Sequence, residues 1–189
     1  VFTLDKISID DKLRDILSKE QVLALEKQKI AYELGIFIKG ADGRLTPIKM
    51  VENNVGVNIP YDPVSGDKTR KMTVLRPLDD GTFVNMAGKY HESDGMVKFK
   101  TNRAGIYIVM EHDVFFKDVS EDFWAYEVIG VLASKGIVHG VDEAPNFKPV
   151  GLVTRAEFAK MVVEAMGILD EEAVAEFSDV NTSDWFYKY

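Results

Sequence analysis

Thr154, Arg155 and Glu157 are the residues whose types and spacing best fit a binding site. Thr154 is a good helix N-cap, because its hydroxyl accepts a hydrogen bond from an orphan N–H of the first turn. Glu157 follows three positions later, where its carboxylate reaches back to the Thr154 N–H and completes a capping box. Arg155 is then the first helical residue. Unpaired N–H groups and the positive end of the helix dipole already favour an anion there, and the planar guanidinium fork matches a carboxylate. Taken alone, the box only starts a helix and Arg155 is a solvated charge. Trp124 and Trp185 have two readings: core aromatics, or platforms for a sugar ring with the indole N–H free to bond. Asp118 and Asp179 either close turns or accept from sugar hydroxyls.

Other chemistries find no support. The chain has no cysteine, so disulfides and thiolate nucleophiles are excluded. His91, His112 and His139 stand at no metal-ligand spacing. There is no EF-hand run, no glycine-rich phosphate loop after a strand, and no serine in a nucleophile elbow. Carboxylates are numerous, but nothing selects a glycosidase-like pair among them. No enzyme activity, cofactor or metal is expected.

The charge distribution narrows the partners. The net charge is −8, and all of it lies from Phe116 onward, where 6 Lys and Arg face 14 Asp and Glu. Residues 1–115 carry 17 of each sign. Nucleic-acid binding needs clustered cations and is disfavoured. An anionic ligand of the acidic part has to be held by a local cation, not by the overall field. No apolar run is long enough to cross a bilayer. No signal peptide opens the chain, so an exported parent would carry its signal upstream of Val1.

Arg155 sits inside a longer ordered pattern. Phe116-Lys117-Asp118-Val119 is followed by Trp124-Ala125, Gly136-Ile137, Gly140, Phe147, Pro149 and then Thr154-Arg155-Ala156-Glu157-Phe158-Ala159. From Phe116 to about Met166 this resembles an S-layer homology (SLH) module, whose pattern is an F-x-D-V opening, W-A on a first helix, a G-I turn, a loop with G and F-x-P, and T-R-A-E-F-A on a second helix. The pattern then restarts: Phe177-Ser178-Asp179-Val180 and Trp185 lie 61 residues after their counterparts Phe116-Lys117-Asp118-Val119 and Trp124. A fixed period marks a repeat array.

The resemblance implies one module at 116–176 and a truncated start of a second at 177–189. It also implies a secreted, wall-bound surface protein, of the S-layer or associated with it, anchored without catalysis to secondary cell-wall polysaccharide. That polymer typically carries a pyruvate ketal, hence a carboxylate for Arg155. The implied carbohydrate-binding set is Arg155, Trp124, Asp118, Glu157 and Thr154, with Trp185 and Asp179 in the second copy. Other SLH modules, of the same or a neighbouring chain, are the implied protein partners, since such modules usually come in threes. Two rival readings are an assembly module that binds no sugar and the anchoring tail of a cell-bound polysaccharide hydrolase.

The elements that must position these residues are of two kinds. Ile30, Tyr32, Leu34, Ile36 and Ile38 alternate as in a strand with one buried face. Val55, Val57 and Ile59 repeat the pattern and Pro60 ends it. Further short strands are expected around Met72 and Val74, at 83–86, 96–100 and 105–110, with turns at Ala41-Asp42-Gly43, Asp79-Asp80-Gly81 and Ser93-Asp94-Gly95. Before these, Leu13, Ile16 and Leu17 predict short helical turns, with Ser18 and Gln21 capping a second helix. Residues 1–115 therefore read as an antiparallel β-sandwich, a spacer or assembly domain similar to the β-domains that precede SLH modules. Beyond it, Ala125, Val128, Ile129 and Leu132 mark one face of a helix that Gly136 ends, and Phe158, Met161, Val162, Ala165 and Met166 mark a second that Gly167 ends. The expected class is α+β multidomain, a β-sandwich followed by a small all-α repeat region. Two such helices bury too little to stand alone, so repeats are expected to pack on each other.

Overall fold

The computed structural model describes residues 1–8, 30–141, 145–169, 174 and 177–189. The helices expected around Leu13 to Leu25 lie outside the described residues, as do Asp170, Glu171 and Glu172. The chain divides into two compact units, Val1–His112 and Asp113–Tyr189.

The described residues of the first unit are mainly antiparallel strands. Sheet one runs β1 (Phe2–Ile7), β2 (Ile30–Lys39), β9 (Gly105–Glu111), β5 (Met72–Pro77), β6 (Phe83–Asn85), with β3 (Leu45–Ile48) also paired to β2. Sheet two runs β4 (Met50–Pro60), β8 (Met96–Arg103), β7 (Lys89–His91). One core joins both: Leu34, Ile36, Met72, Val74, Tyr107 and Val109 from the first sheet meet Val57, Ile59, Val97 and Phe99 from the second. The alternating residues of β2, β4 and β5 are there because period two puts them on one face. β2 departs from a single buried face, since Ala31 and its neighbour Ile108 are buried on the opposite side with Ile7, Ile106 and Met110 around them. At the strand's far end Ile38 is exposed.

Turn chemistry sets the hairpins. Gly43, Gly81 and Gly95 all have positive φ, at 80°, 81° and 65°, and each sits at the turn expected of it. Asp80 accepts from the Thr82 N–H and hydroxyl at 2.9 and 2.6 Å, which fixes the link between β5 and β6. Strands β1, β3 and β7 were not apparent from the pattern of residues. Pro47 fits β3 because that strand is paired on one side only, with β2.

Among its described residues the second unit holds two helices, α1 (Tyr126–Ser134) and α2 (Arg155–Met166), with turns and extended stretches around them. Phe116, Val119, Ala125, Ile129, Ala133 and Val138 form its core, with Phe147 stacked on Phe116 at 5.1 Å between centroids. Gly136 ends α1 at φ 71° and Gly167 ends α2 at φ 61°, the left-handed position that glycine takes without a Cβ penalty. Val128 is exposed, and so are Phe158, Val162 and Met166. No residue of α2 is buried: of its apolar stripe Met161 packs partly buried against the unit's core, while Phe158, Val162 and Met166 have no such cover among the described residues.

The repeat is visible in the backbone. Val119 N–H donates to the Phe116 carbonyl at 3.2 Å, Phe123 N–H to Ser120 at 2.9 Å and Tyr126 N–H to Phe123 at 2.9 Å. Sixty-one residues on, Val180 donates to Phe177 at 3.3 Å, Asp184 to Asn181 at 2.9 Å and Tyr187 to Asp184 at 3.0 Å. The same turns follow the same sequence motif.

In the β-unit core, the Tyr107 hydroxyl donates to the Arg103 carbonyl at 2.7 Å and lies 2.7 Å from Thr101 Oγ1. Both side chains are buried, and burial pushes the Tyr107 phenol up from its usual value. Tyr107→Phe removes the hydroxyl that joins Thr101 Oγ1 to the Arg103 carbonyl. It should cost about 1–3 kcal/mol, read as a lower urea midpoint at unchanged slope. An unchanged midpoint would show that the pair contributes nothing.

Candidate functional site

The capping box forms as its spacing predicts. Thr154 takes an extended N-cap conformation, its hydroxyl oxygen accepts from the Glu157 N–H at 3.2 Å, and its own N–H donates to Glu157 Oε2 at 2.7 Å. The Thr154 hydroxyl also donates to Glu157 Oε2 at 2.7 Å. The Thr154 N–H first, and the hydroxyl second, hold the Glu157 carboxyl below its usual range. Thr154 and Glu157 are therefore occupied with each other. The Arg155 side chain next to them is exposed and has no hydrogen bond or ion pair with the described residues.

Asp118 has a different place from a free sugar acceptor. Its two carboxylate oxygens accept from the N–H groups of Phe147 and Lys148 at 2.8 and 2.7 Å. The N–H of Lys117 donates to the Pro145 carbonyl at 2.8 Å. This strand-like clamp closes the loop between α1 and α2 onto the F-x-D-V turn. It also holds Lys148 at φ 57°, a conformation that a non-glycine residue keeps only when its surroundings fix it. The Phe147 amide, and then that of Lys148, keep the Asp118 carboxyl below its usual range. Gly140 sits under the same loop, where a Cβ would stand 3.0 Å from the Asn146 carbonyl oxygen.

Trp124 precedes α1 instead of lying in it, and it is 86% exposed. Phe123 is its ring neighbour, at 5.9 Å. Among the described residues no hydrogen bond or ring contact joins Trp124 to Arg155. Trp185 is exposed and packs edge-on against Phe186 at 5.3 Å, with Tyr189 at 6.5 Å. Asp179 is exposed in the second F-x-D-V turn. The seven residues thus fall into a capping group of Thr154, Arg155 and Glu157, a loop clamp at Asp118, two outward tryptophans, and an exposed Asp179 in the second copy. One polar cluster escaped the sequence reading. His139, Lys160, Glu164 and Tyr189 come together on α2, and only the i, i+4 spacing of Lys160 and Glu164 hinted at it. Among the described residues no group of three His, Asp or Glu side chains is placed to hold a metal.

Asp118→Ala should expose the amides of Phe147 and Lys148 to hydrogen exchange while leaving the strands of the first unit protected. Because the folded carboxyl titrates below the ordinary 3.8, the clamp is fully present above that value and is lost only as pH falls through the lower one. Protection of these two amides should therefore be flat between pH 7 and 5. Protected amides in the Ala variant would contradict the clamp.

The sequence profile described as S-layer homology domain matches residues 115–159. Over 153 residues the chain is 35% identical to an amylopullulanase of Thermoanaerobacterium thermosulfurigenes, covering 80% of this chain and 8% of that protein. That match is longer than the second unit, so it takes in part of the β-unit. Over 78 residues the chain is 42% identical to exoglucanase XynX of Acetivibrio thermocellus, covering 41% of this chain and 7% of the relative. Over 80 residues it is 40% identical to the surface-layer 125 kDa protein of Lysinibacillus sphaericus, covering 42% and 7%. The chain spans less than a tenth of the length of these relatives. No solved structure matches it significantly. The ordered motifs, the capped second helix and the matching profile make residues 115–159 an S-layer homology domain, and this chain belongs among the proteins that carry one.

Proposed function

We propose that this chain anchors a bacterial surface protein to the cell wall without catalysis, by binding secondary cell-wall polysaccharide that carries pyruvate ketals. The observation that carries the reading is Arg155: an exposed guanidinium with no partner among the described residues, fixed at the start of a capped helix. A cation so placed suits a ligand carboxylate, and its neighbours are already satisfied by each other. Trp124, exposed ahead of α1, supplies a face for a sugar ring. Trp185 and Asp179 are the corresponding groups of the second copy. Asp118, Thr154 and Glu157 serve the site by holding its loop and helix start.

Proteins named for different activities, an amylopullulanase, an exoglucanase and a surface-layer protein, share stretches with this chain. A segment common to them is a poor carrier of any one activity, which favours anchoring. It places the parent at the cell surface, in the wall or S-layer. The hydrolase relatives favour one variant of this reading, in which the parent is a cell-bound polysaccharide hydrolase and this chain its non-catalytic tail. The exposed stripe Phe158, Val162 and Met166 on α2 is then where a further SLH module packs, from the same or a neighbouring chain.

In the full chain, Arg155→Ala should weaken binding to pyruvylated wall polysaccharide at least tenfold, ~1.4 kcal/mol. Arg155→Lys should recover part of the loss, because it restores charge without the bidentate fork. Calorimetric titration measures both. Equal affinity of the Ala variant and the parent chain would remove Arg155 from the site.

A further inference from the structure

We propose that His139, Lys160 and Glu164 form an acid-sensitive latch that holds the first turns of the second repeat against α2. The geometry points to it directly. Lys160 Nζ lies 3.3 Å from His139 Nδ1, in the turn after α1. Lys160 and Glu164 are one helical turn apart, with 4.0 Å between Nζ and Oε1. Glu164 Oε1 accepts from the Tyr189 hydroxyl at 2.9 Å. Lys160 Nζ also stands 5.6 Å from the centre of the Tyr189 ring, with Lys188 Nζ 5.3 Å from the same ring. One lysine therefore touches three elements: the turn after the first helix, the second helix and the second repeat. The position 61 residues before Tyr189 is Val128, which is exposed and has no polar group to offer. The latch is thus a property of the junction between copies and not of each copy.

An ammonium can only donate, so His139 Nδ1 must be the accepting, unprotonated nitrogen of a neutral ring. Protonation removes that lone pair and sets an imidazolium beside an ammonium. The charged groups facing His139 are Lys160 and Glu164, with Lys188 and Tyr189 behind them. The protonated ring repels Lys160 and competes for Glu164, and both are what Tyr189 rests on. The sign follows from the shift. Desolvation, and then Lys160, hold His139 below its ordinary 6.5. The packed arrangement prefers the neutral ring, so its advantage is full above 6.5 and is lost as pH falls through the lower folded value. Histidine is the side chain type whose charge ordinarily changes in this range. The latch does not require a sugar ligand and stands or falls separately from the wall-binding function.

Hydrogen exchange of the full chain, corrected for the intrinsic pH dependence of exchange, tests it. Protection of the Asp184, Tyr187 and Tyr189 amides should fall about threefold or more between pH 7.5 and 5, while strands β8 and β9 stay protected. His139→Gln, which keeps an acceptor but cannot titrate, should hold that protection at both pH values. In the unsubstituted chain, an NMR titration of the His139 ring should have the same midpoint as the loss of protection. Protection that ignores pH, that falls equally in His139→Gln, that falls together with the β-strands, or that falls away from the His139 midpoint would overturn the latch.

Discussion

Burial is what α2 lacks, although the unit around it has a core of its own. An isolated helix of twelve residues is marginal in water, and α2 has that length with no buried residue. It is held at its ends and along one edge instead. The capping box at Thr154 and Glu157 satisfies its first N–H groups, and Gly167 turns the chain at its other end. Met161 alone of its stripe packs against the core of the unit. Lys160 and Glu164 tie the helix to the turn after α1 and to the second repeat. This explains why polar contacts, and not a filled core, organise the region that carries Arg155.

The clamp at Asp118 does the corresponding work for the loop. Phe147, stacked on Phe116, and Lys148, held in a left-handed conformation, both have their amides on that carboxylate. The loop can then deliver the chain to Thr154 in the extended conformation an N-cap needs. The polar residues of the module thus divide their labour. Asp118, Thr154 and Glu157 are satisfied inside the fold, and Arg155 and Trp124 are left facing outward. Among the described residues the Arg155 side chain has no partner at its helix start, so an anion would gain from that charge only where it reaches this point.

Local spacing made part of this legible in the residues alone. The capping box, the glycine helix ends and the hairpin turns each depend on residues within four positions, so the sequence shows them. The longer strands were legible because Leu34, Ile36, Val57, Ile59, Met72 and Val74 alternate toward one core. The short strands β1, β3 and β7 were not, since Lys89-Tyr90-His91 becomes a strand only through its pairing with β8. The clamp was hidden because its partners lie 29 and 30 residues from Asp118, and the contact of His139 with Lys160 spans 21 residues. Helical period showed which side of each helix is apolar. It could not show that Val128, Phe158 and Val162 would stay exposed, because exposure depends on what else is present to cover them.

The β-unit belongs to the same account. Part of it is shared with the amylopullulanase relative together with the region that follows, which fits a spacer that travels with the anchor. Its own core is complete, joined from two antiparallel sheets, and residues 1–115 carry no net charge. The central claim is that the acidic repeat unit anchors the chain through wall carbohydrate. Cosedimentation of the full chain with purified cell wall, before and after removal of the secondary polysaccharide, tests it most directly. The account predicts that the chain pellets with intact wall and stays in solution with stripped wall. Equal pelleting with both would contradict it.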